Sequence, residues 1–299
     1  DELFLPGFDQ SSALATLAPA ISRAERLLLF TKIIMAKPIE YGIEKLAANQ
    51  ACYLAQELAN LIDTVHNQGL SFDRLTDLVP EEYAVHWQET LKFLQIITEY
   101  WPQILAERQL IDASDRRNRL LRAQIDLWRQ NPPVKRIVAA GTTAAFPLMK
   151  ELVKTVLSLE KGELYLAGID KFLEDEAWEK IDETHPQHEL KELLDYLTVR
   201  REDIPDLQAP ENFGREVLIS EVMRPAAITE KWRDIAGKKI RHEAADGITL
   251  VNCADMREEA LTIALLLREA VETPEKTAAL VTGDRNLARR VAAELERWN

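Results

Sequence analysis

The stretch Arg136-Ile137-Val138-Ala139-Ala140-Gly141-Thr142-Thr143, followed one helix-length later by Lys161-Gly162-Glu163-Leu164-Tyr165-Leu166-Ala167-Gly168, decides the fold class. Each is a short apolar run closed by glycine, the pattern of a buried strand. Between them Leu148, Leu152, Val153, Val156 and Leu157 recur at helical spacing. Strand, helix and strand within about 30 residues form a βαβ unit, which predicts two parallel strands joined by a right-handed crossover. The class is therefore α/β with a parallel sheet.

Upstream the pattern is helical. Ser22-Arg23-Ala24-Glu25 is a capping box ahead of the apolar run that stops before Pro38. Leu54, Leu58, Leu61, Ile62 and Val65 mark a second helix, ended by Gly69. A third is predicted after Pro80 on Trp87, Leu91, Leu94 and Ile97. A fourth runs from near Ser114 through Leu121, Ile125 and Trp128 to the breaker Asn131-Pro132-Pro133. Downstream, 171–243 is mixed and mostly helical, with a loop expected over 203–214. A second α/β unit follows: strand Ile248–Cys253, helix Arg257–Val271, strand Thr277–Thr282, helix Arg285–Trp298. The expected organisation is a helical subdomain over 1–134, an α/β core with added helices over 135–245, and the start of a second α/β domain over 246–299.

The chain has 299 residues, enough for two domains at roughly 150 residues each. Hydrophobic residues at 46% and charged ones at 29% fit a soluble chain with a real core and exclude disorder. The longest apolar run, broken by Thr31 and Lys32, is too short and polar for a membrane span. Cys52 and Cys253 are about 200 residues apart without a CxxC pair, which fits a reducing cytoplasm and neither a disulfide framework nor a thiolate metal site. The start at Asp1-Glu2-Leu3, without Met or a leader, and the end at Trp298-Asn299 inside a helical pattern read as the limits of a piece of a larger protein. A net charge of −13 and a pI near 5.0 count against autonomous DNA binding, because phosphate neutralisation supplies most non-specific affinity. A local basic groove, or a partner that brings positive charge, stays compatible with that balance.

A phosphate loop of the form GxxxxGKS/T is absent from the sequence, and so is a GxGxxG fingerprint. A motor strand also needs acids at its end to hold Mg²⁺, and here it ends in Ala139 and Ala140. His185-Pro186-Gln187-His188 has the spacing of a metal pair, but the favoured reading is a proline-initiated helix with His185 near its cap. His86 and His242 are isolated and receive no role. Arg116, Arg117, Arg119 and Arg122 lie beside Asp112 and Asp115, the pattern of a solvated face, with a DNA or partner contact as the alternative. Lys238-Lys239-Ile240-Arg241-His242 is similar. Thr142 and Thr143, and Thr282 to Arg285, sit after strand candidates, where α/β sheets bind ligands. For the second group the favoured role is a helix cap by Thr282 or Asp284. The tryptophans 87, 101, 128, 178, 232 and 298 fall mostly at helical spacing, as packing residues do. No catalytic, cofactor-binding or metal-ligating residue is assigned.

Several stretches resemble the AddB subunits of bacterial helicase–nucleases, in their alphaproteobacterial form. They are Leu78–Glu82 with His86-Trp87-Gln88 and Thr90–Leu94, Trp101–Glu107, Ile111–Asn118, and the turn Ala139–Thr143. Later come His185-Pro186-Gln187 with Leu190–Leu194, Leu218–Ala226, and Thr277–Thr282 with Leu287–Glu294. The resemblance implies an inactivated superfamily 1 helicase-like, P-loop NTPase-type core with a helical subdomain. Such a core belongs to the nuclease subunit of an ATP-dependent complex that resects broken DNA ends for recombinational repair. An AddA-type helicase–nuclease subunit would be the partner, single-stranded DNA and broken duplex ends the substrate, and the cytoplasm the compartment. In active relatives Ala139 and Ala140 would be Asp-Glu, so they are degenerate motor positions. Gly168-Ile169-Asp170 resembles the turn after the next core strand, but no glutamine follows at the expected place. The family's nuclease carboxylates and lysine, its Mg²⁺ and its iron–sulfur cysteines would all lie beyond residue 299.

The resulting expectation is a motor-dead scaffold that guides single-stranded DNA and docks the partner motor. Its candidate DNA contacts are Thr142, Thr143, Thr282, Arg285, Arg116 and Arg119. Two rivals stand beside it: a pure protein-interaction module without DNA contact, and a truncated active P-loop NTPase.

Overall fold

A computed structural model describes residues 17–36, 46–72, 93–208, 212–237 and 242–298. By its internal packing the chain divides into two compact units, Asp1–Lys239 and Ile240–Asn299. The described residues are mostly helical, with one two-stranded parallel sheet, which is an α/β fold with a large helical part.

The first unit opens with α1 (Arg23–Ala36) and α2 (Ala48–Asn67). Ser22 Oγ accepts the Glu25 N–H at 3.2 Å, the capping interaction its position predicts. Phe30 and Ile34 on α1 meet Ala51, Ala55, Leu58 and Ile62 on α2, and the alanines let the two helices approach closely. A single π turn, Ile96–Tyr100, leads into α3 (Trp101–Arg108). Trp101 lies against Phe30, ring centroids 4.3 Å apart. The predicted third helix therefore exists in its second half, while its start, with Trp87 and Leu91, lies outside the described residues. So do His86 and most of the Lys238–His242 cluster.

One charged group is built into this core. Arg26, 6% exposed, lies 2.9 Å from Asp63 and 3.2 Å from Asp112, and Trp101 Nε1–H donates to Asp112 Oδ2 at 2.8 Å. The contact of Arg26 with Asp112 is an ion pair without hydrogen-bond alignment, so Asp112 Oδ1 accepts no hydrogen bond among the described residues. Burial pushes the Asp112 carboxyl above its ordinary range, against the opposing pull of Trp101 and Arg26.

Next, α4 (Ala113–Gln130) packs Leu121 and Ile125 against Leu148 of α5 (Pro147–Ser158). Between them runs β1 (Ile137–Ala140), which pairs in parallel with β2 (Gly162–Tyr165), Ile137 opposite Gly162 and Ala140 opposite Tyr165. The predicted strand–helix–strand order and the parallel pairing are both present. Ile137 and Ala139 turn inward onto Trp128, Val156 and Leu159, and Val138 is 45% exposed on the other face, the alternation of a strand covered on one side. Gly162 is obligatory: a Cβ there would lie 1.7 Å from the Val156 carbonyl oxygen. Three short helices follow, α6 (Asp175–Glu179), α7 (His188–Leu197) and α8 (Phe213–Val222).

The second unit holds α9 (Met256–Glu272) and α10 (Arg285–Glu296), packed through Ala260, Ala264, Leu287 and Val291. Asp255 caps α9, accepting the Glu258 and Arg257 N–H groups at 2.8 Å each, and those bonds hold its carboxyl below the ordinary range. The two strands predicted here, Ile248–Cys253 and Thr277–Thr282, are not strands. Both runs have strand-forming residues, but a strand exists only through a hydrogen-bonded neighbour, and no ladder forms beside either among the described residues. Leu250 and Val281 stand 84% and 94% exposed as a result. Among the described residues no helix is long and apolar enough to cross a membrane.

Candidate functional site at the ends of the parallel strands

In parallel α/β sheets ligands meet the carboxyl ends of the strands. Here that end is built from two turns. After β1, Gly141 takes φ +67° with open space around its Cβ position, so only its backbone freedom is needed. Thr142 Oγ1 accepts the Ala144 N–H at 3.0 Å. Ala144 itself is left-handed, φ 50°, and 1% exposed, packed with Val153 and Leu193. After β2, Gly168 takes φ +70°, and Asp170 Oδ1 accepts the N–H groups of Phe172 and Leu173 at 2.9 and 3.0 Å.

The start of α7 closes over both turns. Thr143 Oγ1 donates to the Glu189 carboxylate. The Gln187 amide donates to the Gly168 carbonyl at 2.8 Å and accepts the Asp170 N–H at 3.1 Å. His185 Nδ1 accepts the Gln187 N–H at 3.0 Å, which in the neutral ring leaves the proton on Nε2, and Nε2 donates to the Met223 carbonyl at 2.6 Å. A bond from Lys150 at 2.7 Å holds the Glu192 carboxyl below its ordinary range. Beneath the second turn, Arg201 Nη1 donates to the carbonyls of Asp170 and Leu173 at 3.0 and 2.9 Å. Its guanidinium lies 4.5 Å over the Trp178 ring. Most of these polar side chains bond to backbone groups of a neighbouring segment, and the arrangement fastens two strand ends, α7 and α8 into a single piece.

Ala139 and Ala140 end β1, the first half-buried and the second exposed, and a methyl group supplies neither a metal ligand nor a base. His185 and His188 have separate neighbours, the Met223 carbonyl and the Glu192 carboxylate; helix α7 starts at His188 with Gln187 as its cap residue, and Pro186 lies in the turn before it. Among the described residues no group of three or more His, Cys, Asp or Glu is placed to hold a metal ion.

The α4 basic run comes close to the β1 turn. Arg117 lies 5.6 Å from the Phe146 ring centroid and donates to Asn67 and Asn118. Arg119 pairs with Asp115 at 2.9 Å one turn away, Arg116 is half-buried and Arg122 is exposed. Nearby, Ser114 Oγ donates to Asp63 at 2.8 Å and lies 3.0 Å from His66 Nδ1. A nucleophilic triad places the imidazole between hydroxyl and carboxylate; here the hydroxyl lies between His66 and Asp63, which is not that order. In the second unit Thr282 Oγ1 accepts the Asp284 N–H at 3.0 Å. Asp284 caps α10, accepting the Asn286 N–H at 2.8 Å and the Leu287 N–H at 3.4 Å. That carboxylate occupies the helix-end donors a phosphate would use. Arg285 beside it is exposed.

No protein-family model, curated protein or solved structure matches this chain. The site therefore rests on its own geometry. Thr142, Thr143, Arg116 and Arg119 fall in the first unit, Thr282 and Arg285 in the second. Sequence reasoning passed over Gln187, Glu189 and Arg201. Gln187 stood inside the quoted His-Pro-Gln-His run, and it reaches the Gly168–Asp170 turn from 17 residues downstream. Arg201 carried no local signal.

Proposed function

We propose that this chain is a motor-dead, helicase-like scaffold of a cytoplasmic DNA-end-processing helicase–nuclease, which docks an AddA-type motor subunit and guides single-stranded DNA. The observation that carries the reading is the strand end itself. Alanines stand where a motor needs acids, and the space beyond is bridged by Gln187 and Glu189. A hydrolytic centre needs free carboxylates aimed at a metal and a water. Asp170 and Glu189 are instead bonded to backbone and hydroxyl groups. Turnover of ATP is thereby assigned to the partner.

The test is binding of labelled oligothymidylate against salt, by this chain alone and with the partner helicase subunit. Guidance of DNA gives a log affinity that falls linearly with log salt, with slope about −0.7 per phosphate contacted. Substitution of Arg116, Arg119, Arg285 or the Thr142–Thr143 pair by alanine then lowers affinity in the complex. A second reading, protein docking without DNA contact, is favoured by the net charge of −13 and by the internal pairing of Arg117 and Arg119. It prevails if these substitutions leave DNA affinity in the complex unchanged.

A further inference from the structure

One imidazole joins two segments at the strand ends. His185 Nδ1 lies 3.0 Å from the Gln187 N–H and Nε2 lies 2.6 Å from the Met223 carbonyl. The first partner can only donate and the second can only accept, so both bonds need a neutral ring with its proton on Nε2. Protonation therefore acts on them unequally. Imidazolium carries a proton on each nitrogen. Nε2–H keeps Met223, and the added charge strengthens that bond. Nδ1–H and the Gln187 N–H become two donors facing each other, and their bond is lost. Gln187 is also the residue whose side chain holds the Gly168 carbonyl and the Asp170 N–H.

Imidazole is the side chain whose charge ordinarily changes between about pH 5 and 8. Several groups around His185 act on that change. Asp182 opens the same turn, and the Thr184 hydroxyl and N–H, at 2.6 and 2.9 Å, hold its carboxyl below the ordinary range. It stays ionised as the ring titrates and favours a charged ring. Glu183 and Glu189 add negative charge, Glu189 while accepting Thr143 Oγ1. The positive end of α7 opposes a charged ring. So does Arg224 beside Met223, although Glu221 at 2.9 Å and Glu174 at 3.4 Å offset it. His188 lies on α7 with Nε2 3.6 Å from Glu192, so its own protonation tightens a contact within the helix and leaves the turn alone.

We propose that His185 is an acid-operated coupling between α7 and the segment after α8. Neutral, it ties both together at the strand ends; protonated, it keeps Met223 and releases Gln187. The inference stands apart from the docking and DNA readings above.

Nuclear magnetic resonance of the whole chain from pH 8 to 5 tests it, following the His185 ring nitrogens and the Gln187 backbone amide together. The expected result is one shared midpoint. Across it, exchange of the Gln187 amide proton, corrected for its intrinsic dependence on pH, should rise about fivefold, the worth of one net hydrogen bond. His185→Asn puts a carbonyl oxygen near the place of Nδ1 and does not titrate, so the rise should vanish. In His188→Asn it should persist. Exchange at Gln187 that stays level while the His185 ring titrates overturns the coupling in the parent protein alone. A rise that survives His185→Asn, or is lost in His188→Asn, overturns it as well.

Discussion

Arg201→Met should destabilise the first unit by about 3–5 kcal/mol. Arg201 is 6% exposed, and it satisfies two carbonyls, those of Asp170 and Leu173, at 3.0 and 2.9 Å. Removing the guanidinium leaves both acceptors short of a donor in a desolvated place, at about 1–3 kcal/mol each. The stacking over Trp178 at 4.5 Å adds about 1 kcal/mol. The ion pair to Asp175 adds little, because that carboxylate is 90% exposed. Methionine keeps most of the apolar stem, so the cost is that of the hydrogen bonds and the ring contact, and these terms are not additive. Urea unfolding followed by far-ultraviolet circular dichroism reads the difference: with a slope of about 2 kcal/mol/M the midpoint falls by roughly 2 M. Asp175→Ala, run beside it, should shift stability by less than about 1 kcal/mol. A loss under about 1 kcal/mol for Arg201→Met, or an equal loss for both variants, would refute the assignment of Arg201 as the clamp beneath the turn.

Asp112, whose folded-state pKa is raised by burial, binds its proton more tightly folded than unfolded. Its contribution is therefore favourable at acid pH and declines as pH rises from its unfolded value of 3.8 through the folded one. Asp112→Asn should lack that decline, and a stability difference from the parent that is flat from pH 4 to 7 would contradict it. Gln124 is fully buried and among the described residues neither amide atom has a hydrogen-bond partner, so Gln124→Met should raise stability by about 1–2 kcal/mol in a thermal melt. A drop would show that the amide is satisfied. Gly141→Ala should cost about 1 kcal/mol from its left-handed backbone alone, since nothing crowds its Cβ position. No loss on chemical denaturation would mean that the turn relaxes to negative φ.

What was legible in the sequence was local. The period of the apolar residues in Arg136–Gly168 gave β1, α5 and β2, because strand and helix faces repeat within a few residues. Caps such as Ser22 and Asp284 were legible for the same reason: donor and acceptor lie two or three residues apart. The runs Ile248–Cys253 and Thr277–Thr282 have the composition of strands, yet composition carries no information about whether a neighbour lies alongside. The clamp was illegible. Arg201 meets Asp170 across 31 residues, and Gln187 meets Gly168 across 19, through turns whose geometry no local pattern specifies. The Thr142 and Thr143 positions were placed correctly at a strand end, but their partners, the Ala144 N–H and Glu189, depend on the positive φ of Ala144 and on where α7 lands.

The Asp170 N–H is held by the Gln187 side chain rather than by a neighbouring strand. One amide thus reports whether α7 is seated, independently of the sheet. If α7 lifts while β1 and β2 stay paired, the Asp170 proton should exchange quickly and that of Glu163, within the ladder, slowly. A ratio of those two rates, taken with and without a binding partner, would time the unlatching of the strand ends residue by residue.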